Sequence, residues 1–516
     1  MMSSSAARPG RPVGGVVVAI DQGTSSTKGL AVDESGTVVA QAGAALGQSN
    51  PQPGWVEQDP RRLLAGVEQV LDRLCADAGA PVAAVALSTQ RESTLTWDTR
   101  TGEPLSPVIG WQDRRTAAAA ARFAAADAAR IRALSGLPLD PMFSALKIAW
   151  ILDEVDPDRS RARRGEITVG TVDAWLARRL TGERRIERGN ASRTQLLDVA
   201  TGEWSPELLD AFDVPAAALP RLVASDAPAA LGGAGRASLG PLTAVMGDSH
   251  AALFGHGVRR PGAVKATYGT GSSIMGLSTT PAASAGLAHT IAWEADGRIA
   301  RAFEGNILST GATLVWLAEL LGVSPAEIAV LAQDAADDGG IDLVPAFAGL
   351  GAPWWDPRAV GVIAGLTLGT SRTQLARAAL ESIVLQIEDV LAAADAALGG
   401  AGIGTIHVDG GPSSNDWLMQ RQADLSGRAV VRPARAALSA LGAAWLAGSA
   451  CGIWSPDTAP WAGSAEGAPK SAFTPLLAPE ARAARRARWA CALERARLDA
   501  ASAQHTSTTP TTASTT

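Results

Sequence analysis

"VVVAIDQGTSSTKGLAVDESG", residues 16–36, decides how the rest of the chain is read. Five apolar residues, Val16 to Ile20, precede Asp21; a Gly-Thr-Ser-Ser run follows, then a second apolar run that closes on Glu34, Ser35 and Gly36. Apolar runs of this length bounded by turn residues read as a buried strand and its hairpin partner. A hairpin turn built from Gly, Ser and Thr presents backbone N–H groups and hydroxyls in one concavity, which suits phosphate oxygens. Asp21 would repel a bare phosphate. Its place at the strand end implies a cation between the two, most simply Mg2+ with its water shell, and Lys28 adds a point charge. For this loop alone, an ordinary hairpin is the competing reading.

A second stretch, "VKATYGTGSSIMGLST" (residues 264–279), repeats strand, turn and strand around Gly269 to Ser273. Two such hairpins suggest two similar domains facing each other, with a nucleotide clamped between them. The boundary falls near "FGHGVRRPG", Phe254 to Gly262, where Gly and Pro cluster. Short β-branched runs ("VAAVALST", "ITVG", "TAVMGDS", "TIHVDGG") alternate with long Ala/Leu/Arg-rich segments, the pattern of an α/β protein on mixed sheets. The expected division is a disordered leader over 1–13, domains over 14–256 and 257–500, and a disordered tail over 501–516.

Composition narrows the function. The 516 residues are 47% hydrophobic and 19% charged with a net charge of -6, and the 45 Lys and Arg are scattered, so nucleic acid is not an expected partner. Cys75, Cys451 and Cys491 show no metal-ligand spacing and fit reduced thiols in a cytoplasm. The opening "MMSSSAARPGRPVGG" lacks the apolar core of a signal peptide. "AALSALGAAWLAGSACGIW", residues 436–454, is uncharged for long enough to span a bilayer, but its Ala, Gly and Ser content reads as a tightly packed internal helix.

Three further stretches carry chemistry. In "HVDGGPSSNDW" (407–417), Asp409 to Gly411 allow close backbone approach to a nucleotide, and Asn415 is expected in the first turn of the following helix. In "LSTQRESTLTWD" (87–98), Gln90, Arg91 and Glu92 follow a buried strand. An Arg beside a Glu donates to and accepts from adjacent hydroxyls of a polyol; a surface ion pair is the alternative. In "VMGDSHAALFGHG" (245–257), Asp248 at a strand end is placed to take a proton from a hydroxyl attacking a γ-phosphoryl group, or to cap a helix beginning near Ala251. His250 and His256 read as structural.

Taken together, "DQGTSSTKG", "PGWVEQDP", "TQREST", "GTVDAWL", "NASRT", "GDSHAALFG", "TYGTGSS", "VPAFAGLGAPWWDP", "VDGGPSSNDWLMQ" and "ALGAAWLAG" resemble the FGGY carbohydrate kinases, and within them the glycerol kinases, from about Gly15 to Arg495. The resemblance implies two actin-like, ribonuclease-H-like ATPase domains with ATP and Mg2+ in the cleft between them. It assigns Thr24, Ser25, Ser26 and Lys28 to the first phosphate loop, with Lys28 where many glycerol kinases carry Arg. Thr270 belongs to the second loop, Gly311 to the helix in "LSTGATLVW", and Gly411 and Asn415 to the third turn. For the acceptor it assigns Arg91, Glu92, Trp111 and Asp248, the last as catalytic base.

Three positions depart from the family pattern: Met142 stands for Tyr, Ser249 for Gln and Ser273 for an aromatic residue. Each loss removes on the order of 1–3 kcal/mol of discrimination unless a larger substrate fills the space. The implied reaction is ATP-dependent phosphorylation of a terminal hydroxyl of a small polyol, glycerol to glycerol 3-phosphate. The alternatives are a polyol or ketose of four or five carbons, and a non-catalytic actin-like ATPase, against which the "TQRE" and "GDSHAALFG" motifs speak. A homodimer or homotetramer is compatible with the resemblance.

Overall fold

The computed structural model describes residues 15–233, 236, 238–279, 286–398, 402–462 and 469–502. The expected leader lies outside these residues. Of the expected tail, residues 501 and 502 close the last helix and the rest is outside.

The opening hairpin forms as expected and founds a five-stranded sheet. Its strands are β1 (Val16–Gln22), β2 (Ser26–Val32), β3 (Val38–Ala45), β4 (Val82–Thr89) and β5 (Leu242–Gly247), in the spatial order β3-β2-β1-β4-β5. β1 pairs antiparallel with β2 and parallel with β4, so it is central, and Val16 to Ile20 are all buried. β3, at the edge, alternates between half-buried and exposed residues. Helix α1 (Pro60–Asp77) lays Leu63, Val67, Val70, Leu71 and Leu74 on this sheet, and Gly29 in β2 makes the close approach feasible. A Cβ at Gly29 would sit 2.7 Å from both Val70 and Leu74 side chains.

The repeat foreseen from the second hairpin extends well beyond it. β6 (Ala263–Tyr268), β7 (Ser272–Ser278), β8 (Ala288–Ala295), β9 (Arg298–Ile307), β10 (Thr405–Asp409), β11 (Ala429–Pro433) and β12 (Pro469–Phe473) form a seven-stranded sheet in the order β8-β9-β7-β6-β10-β11-β12. Its inner five strands, β9-β7-β6-β10-β11, reproduce the first sheet's order and its pattern of two antiparallel and two parallel pairings. The chain thus contains two copies of the expected actin-like core.

Helix α2 (Asp248–Gly255) follows β5 directly, so the helix expected near Ala251 starts three residues earlier. In the second half, α3 (Gly311–Leu321), α4 (Arg372–Ala397), α5 (Asp416–Ser426), α6 (Leu438–Ala450) and α7 (Pro479–Ser502) complete the fold. Leu380, Ile383 and Val384 of α4, Leu418 and Met419 of α5, and Trp489 and Leu493 of α7 join Val264, Phe303, Ile406 and Val408 in the second core.

α6 is the packed helix read from "ALGAAWLAG". Although it belongs to the second half, it packs with α2 against the first sheet, among Ala19, Ala84, Ala86 and Ala244. The crossing is a backbone contact: a Cβ at Gly442 would lie 1.8 Å from the Ala251 carbonyl oxygen, and one at Gly255 2.5 Å from that of Leu438. Among the described residues no single helix is long and apolar enough to cross a membrane.

Candidate active site

The ends of β1, β4, β5, β6 and β10 carry the loops singled out in the sequence. At the end of β1, Asp21 lies opposite Lys28 across the hairpin and beside Ser88 of β4, whose hydroxyl donates to Asp21 Oδ1 at 2.7 Å. Burial raises the Asp21 pKa to about 6; the Ser88 bond opposes the shift, the charge of Asp248 adds to it and Lys28 opposes it. Among the described residues no group of three or more His, Cys, Asp or Glu side chains is gathered as a cage. A single carboxylate such as Asp21 fits an ion such as Mg2+, which takes one or two carboxylates and completes its shell with phosphate oxygens and water.

In the first loop, Gly23 N–H donates to Ser26 O at 2.9 Å, closing the turn, and Ser25 is exposed. Thr24 is engaged on both sides: its carbonyl accepts from Gln58 Nε2 at 2.5 Å and its hydroxyl from Trp111 Nε1 at 3.1 Å. Trp111, assigned to the acceptor, thus also touches the phosphate loop.

The second loop is tied to the start of α3. Thr310 and Gly311 N–H donate to Thr270 O and Gly269 O at 2.8 and 2.9 Å, leaving the Thr270 side chain exposed. No side chain fits at either glycine of this join: a Cβ at Gly311 would be 2.7 Å from Gly269 O, and one at Gly271 2.3 Å from Ile307 O.

The third turn differs in detail from expectation. Asn415 is the N-cap of α5 rather than a first-turn residue, and its Oδ1 accepts from Leu418 N–H at 3.1 Å. The glycine that the backbone demands is Gly410, with φ 88° and a notional Cβ 2.0 Å from Tyr268 O, whereas Gly411 faces open space. His256 bonds Asp409 at 2.8 Å. The His250 ring is buried, with no partner for either nitrogen among the described residues. Burial and the charges of Arg91 and Arg193 keep it neutral.

On the acceptor side Arg91 and Glu92 each bond a different partner. Both residues are buried, so they are no surface pair, and Glu92 sits at φ 59°. Arg91 NH1 and NH2 donate to Glu304 of β9 at 3.1 and 2.7 Å, and its Nε to Asp248 Oδ1 at 3.2 Å. Glu92 accepts from Arg193 Nε at 2.5 Å, and Arg193 NH2 lies 2.8 Å from Glu304. Burial opposes ionisation of Glu304, but Arg193 and Arg91 outweigh it and hold its carboxyl well below the usual range. Ser273 Oγ also donates to Glu304, at 3.1 Å.

Glu304 and Arg193 were not among the sequence candidates. Arg193 had a signal, the "NASRT" motif; Glu304, in "AFEGN", had none. A second residue without a signal is Lys147, fully buried, whose ammonium donates to the carbonyls of Met142 at 2.7 Å and Gly110 at 3.2 Å. It joins the loops that carry Met142 and Trp111. Burial lowers its pKa to about 7 against the pull of Glu92, Asp113 and Asp140.

Asp248, Ser249 and Ser273 open onto a cavity of about 500 Å³ that Lys265, Thr267, Asp409, Gly410 and the start of α6 also line. This is within the range of small-molecule sites, roughly 300–1,000 Å³.

Residues 16–255 match the model for the N-terminal domain of the FGGY family of carbohydrate kinases, and residues 264–451 that for its C-terminal domain. A glycerol kinase of Alkalilimnicola ehrlichii is 44% identical over 491 residues, covering 93% of this chain and 98% of the relative. An apulose kinase of Pectobacterium atrosepticum is 43% identical over 450 residues, covering 85% and 90%. The solved structure of Plasmodium falciparum glycerol kinase with ADP superposes with a TM-score of 0.87 at 27% identity, covering 94% of this chain and 98% of that one. With both family domains in order over one doubled fold, the chain belongs to the FGGY family of carbohydrate kinases.

Proposed function

We propose that this enzyme transfers the γ-phosphoryl group of ATP to a terminal hydroxyl of a small polyol, with glycerol as the acceptor. The observation that carries this reading is that Arg91 bonds Asp248 at the cavity while Trp111 bonds Thr24 of the first phosphate loop. Asp248 takes the proton of the attacking hydroxyl, Arg91 orients the acceptor, and the exposed ring face of Trp111 packs on its carbon chain. The first loop, Thr270 and the open backbone at Gly411 receive the nucleotide, and Mg2+, held near Asp21, supplies charge neutralisation when bound. Most of the acceleration comes from alignment and charge stabilisation, with domain closure excluding water. The unpaired state of the three cysteines supports a cytoplasmic setting.

A second acceptor class, four- or five-carbon polyols and ketoses, is favoured by one observation. Ser273 turns its hydroxyl to Glu304, and Met142 packs with Leu137, Phe143 and Ala288, so neither brings an aromatic wall to the acceptor. The relationship to an apulose kinase supports the same reading.

ADP release measured without acceptor and with a panel of polyols and ketoses separates the readings. Glycerol-dependent turnover that outpaces all other acceptors supports the first, and preference for a larger acceptor supports the second. Acceptor-independent hydrolysis alone would mark a non-catalytic ATPase. Asp248→Asn should lower turnover by about 10²–10⁴ while ATP still binds; near-normal turnover would refute Asp248 as base.

A further inference from the structure

Charged side chains alternate in sign across the junction of the two halves, in the order Glu92, Arg193, Glu304, Arg91, Asp248. Four come from the first half; Glu304 comes from β9 in the second. Lys265 also faces Glu304 and Asp248, Lys147 faces Glu92 and Asp21 faces Asp248, and the pairing of Arg91 decides how closely Asp248 is engaged.

Arg91 has two acidic partners of unequal strength. With Glu304 it forms a two-bonded fork between groups 8% and 0% exposed; with Asp248 it makes one contact, to a carboxylate 38% exposed. Forked geometry and dry surroundings both favour the first pair. Arg193 and the Ser273 hydroxyl hold Glu304 in place from other sides. Gly247 leaves room for the Arg91 stem, since a Cβ there would be 2.6 Å from Arg91 Cγ.

We propose that Glu304 is a positioning residue for phosphoryl transfer: by holding the Arg91 fork, it keeps that guanidinium from closing on Asp248 and leaves the carboxylate free to accept the hydroxyl proton. The contact also makes availability of the base depend on β9 being packed against the first half. This inference rests on the reading of Asp248 as base.

Glu304→Gln keeps the shape and removes the charge. In a crystal structure of this variant, Arg91 should form a two-bonded pair with Asp248. Its turnover should fall by about a hundredfold, with the KM for ATP held within about twofold, as expected when only a transition-state contact is lost. A purely structural role disturbs ATP binding and turnover together, without the split between kcat and the KM for ATP. Arg91 still directed at residue 304 overturns the proposal. Should that variant not fold, Glu304→Asp retains the charge. It should keep turnover within about tenfold of the parent, as a conserved contact requires; a hundredfold loss with Arg91 still forked to the aspartate overturns the proposal. The crystallographic result does not depend on turnover. It stays distinct from failure of the kinase reading, which would show as a parent enzyme that phosphorylates no polyol.

Discussion

Gly442→Ala sets two effects of opposite sign against each other. In a helix interior, Ala is better than Gly by about 0.8–1.0 kcal/mol. At this crossing, however, the added Cβ lies 1.8 Å from Ala251 O, whereas real Cβ contacts stay beyond 3.0 Å, so α2 and α6 must separate by at least about 1.2 Å. The obstacle is a backbone carbonyl, which cannot rotate away like a side chain. Overpacking of this kind costs typically about 1–3 kcal/mol, and more where backbone must move. The expected net effect is a loss of about 2 kcal/mol, or roughly 4–8 °C in melting temperature for a domain of this size. Because α2 begins at Asp248, the same shift displaces the proposed base, and turnover should fall on the order of a hundredfold. Thermal melts and steady-state kinetics on Gly442→Ala test this, with Gly47→Ala as control, since nothing lies within 4 Å of a Cβ there. A melting temperature at or above that of the parent would refute the packing account.

Gly410→Ala should raise the KM for ATP at least about tenfold, because a positive φ and a 2.0 Å clash with Tyr268 O deform the third turn; an unchanged KM in initial-rate assays would contradict this. Ser273→Phe removes a hydroxyl partner of Glu304 and fills acceptor space, so it should shift the kcat/KM ratio toward glycerol and away from five-carbon acceptors by about tenfold. Equal changes for both acceptors would count against a specificity role. Burial lowers the pKa values of His289 and His407 to about 4, with Arg132 and His256 adding to the effect. Their folded values lie below the unfolded value near 6.5. Their stabilising contribution is therefore full above pH 6.5 and is lost as pH falls through 4, by up to about 3 kcal/mol each. Thermal melts from pH 7.5 to 4.5 should show this slope, and His407→Gln should flatten it; an unaltered slope would contradict burial as its source.

The sequence alone determined the repeated hairpins, the loops that close them and most candidate residues. These features are local: apolar runs define strands, and Gly, Ser and Thr define turns, within a few residues of one another. It also located Asp248 and the packed helix at "ALGAAWLAG", because each motif is continuous in the chain. Tertiary structure decided the rest. That α6 returns to the first sheet depends on two glycines, Gly255 and Gly442, far apart in sequence. That Arg91 pairs with Glu304 rather than with its neighbour Glu92 depends on a partner 213 residues away. Gly410, not Gly411, bears the conformational demand because the Tyr268 carbonyl lies against it. Such choices leave no periodicity in the sequence, since a buried charge finds the nearest opposite charge in space, and only the packed sheets determine which one that is.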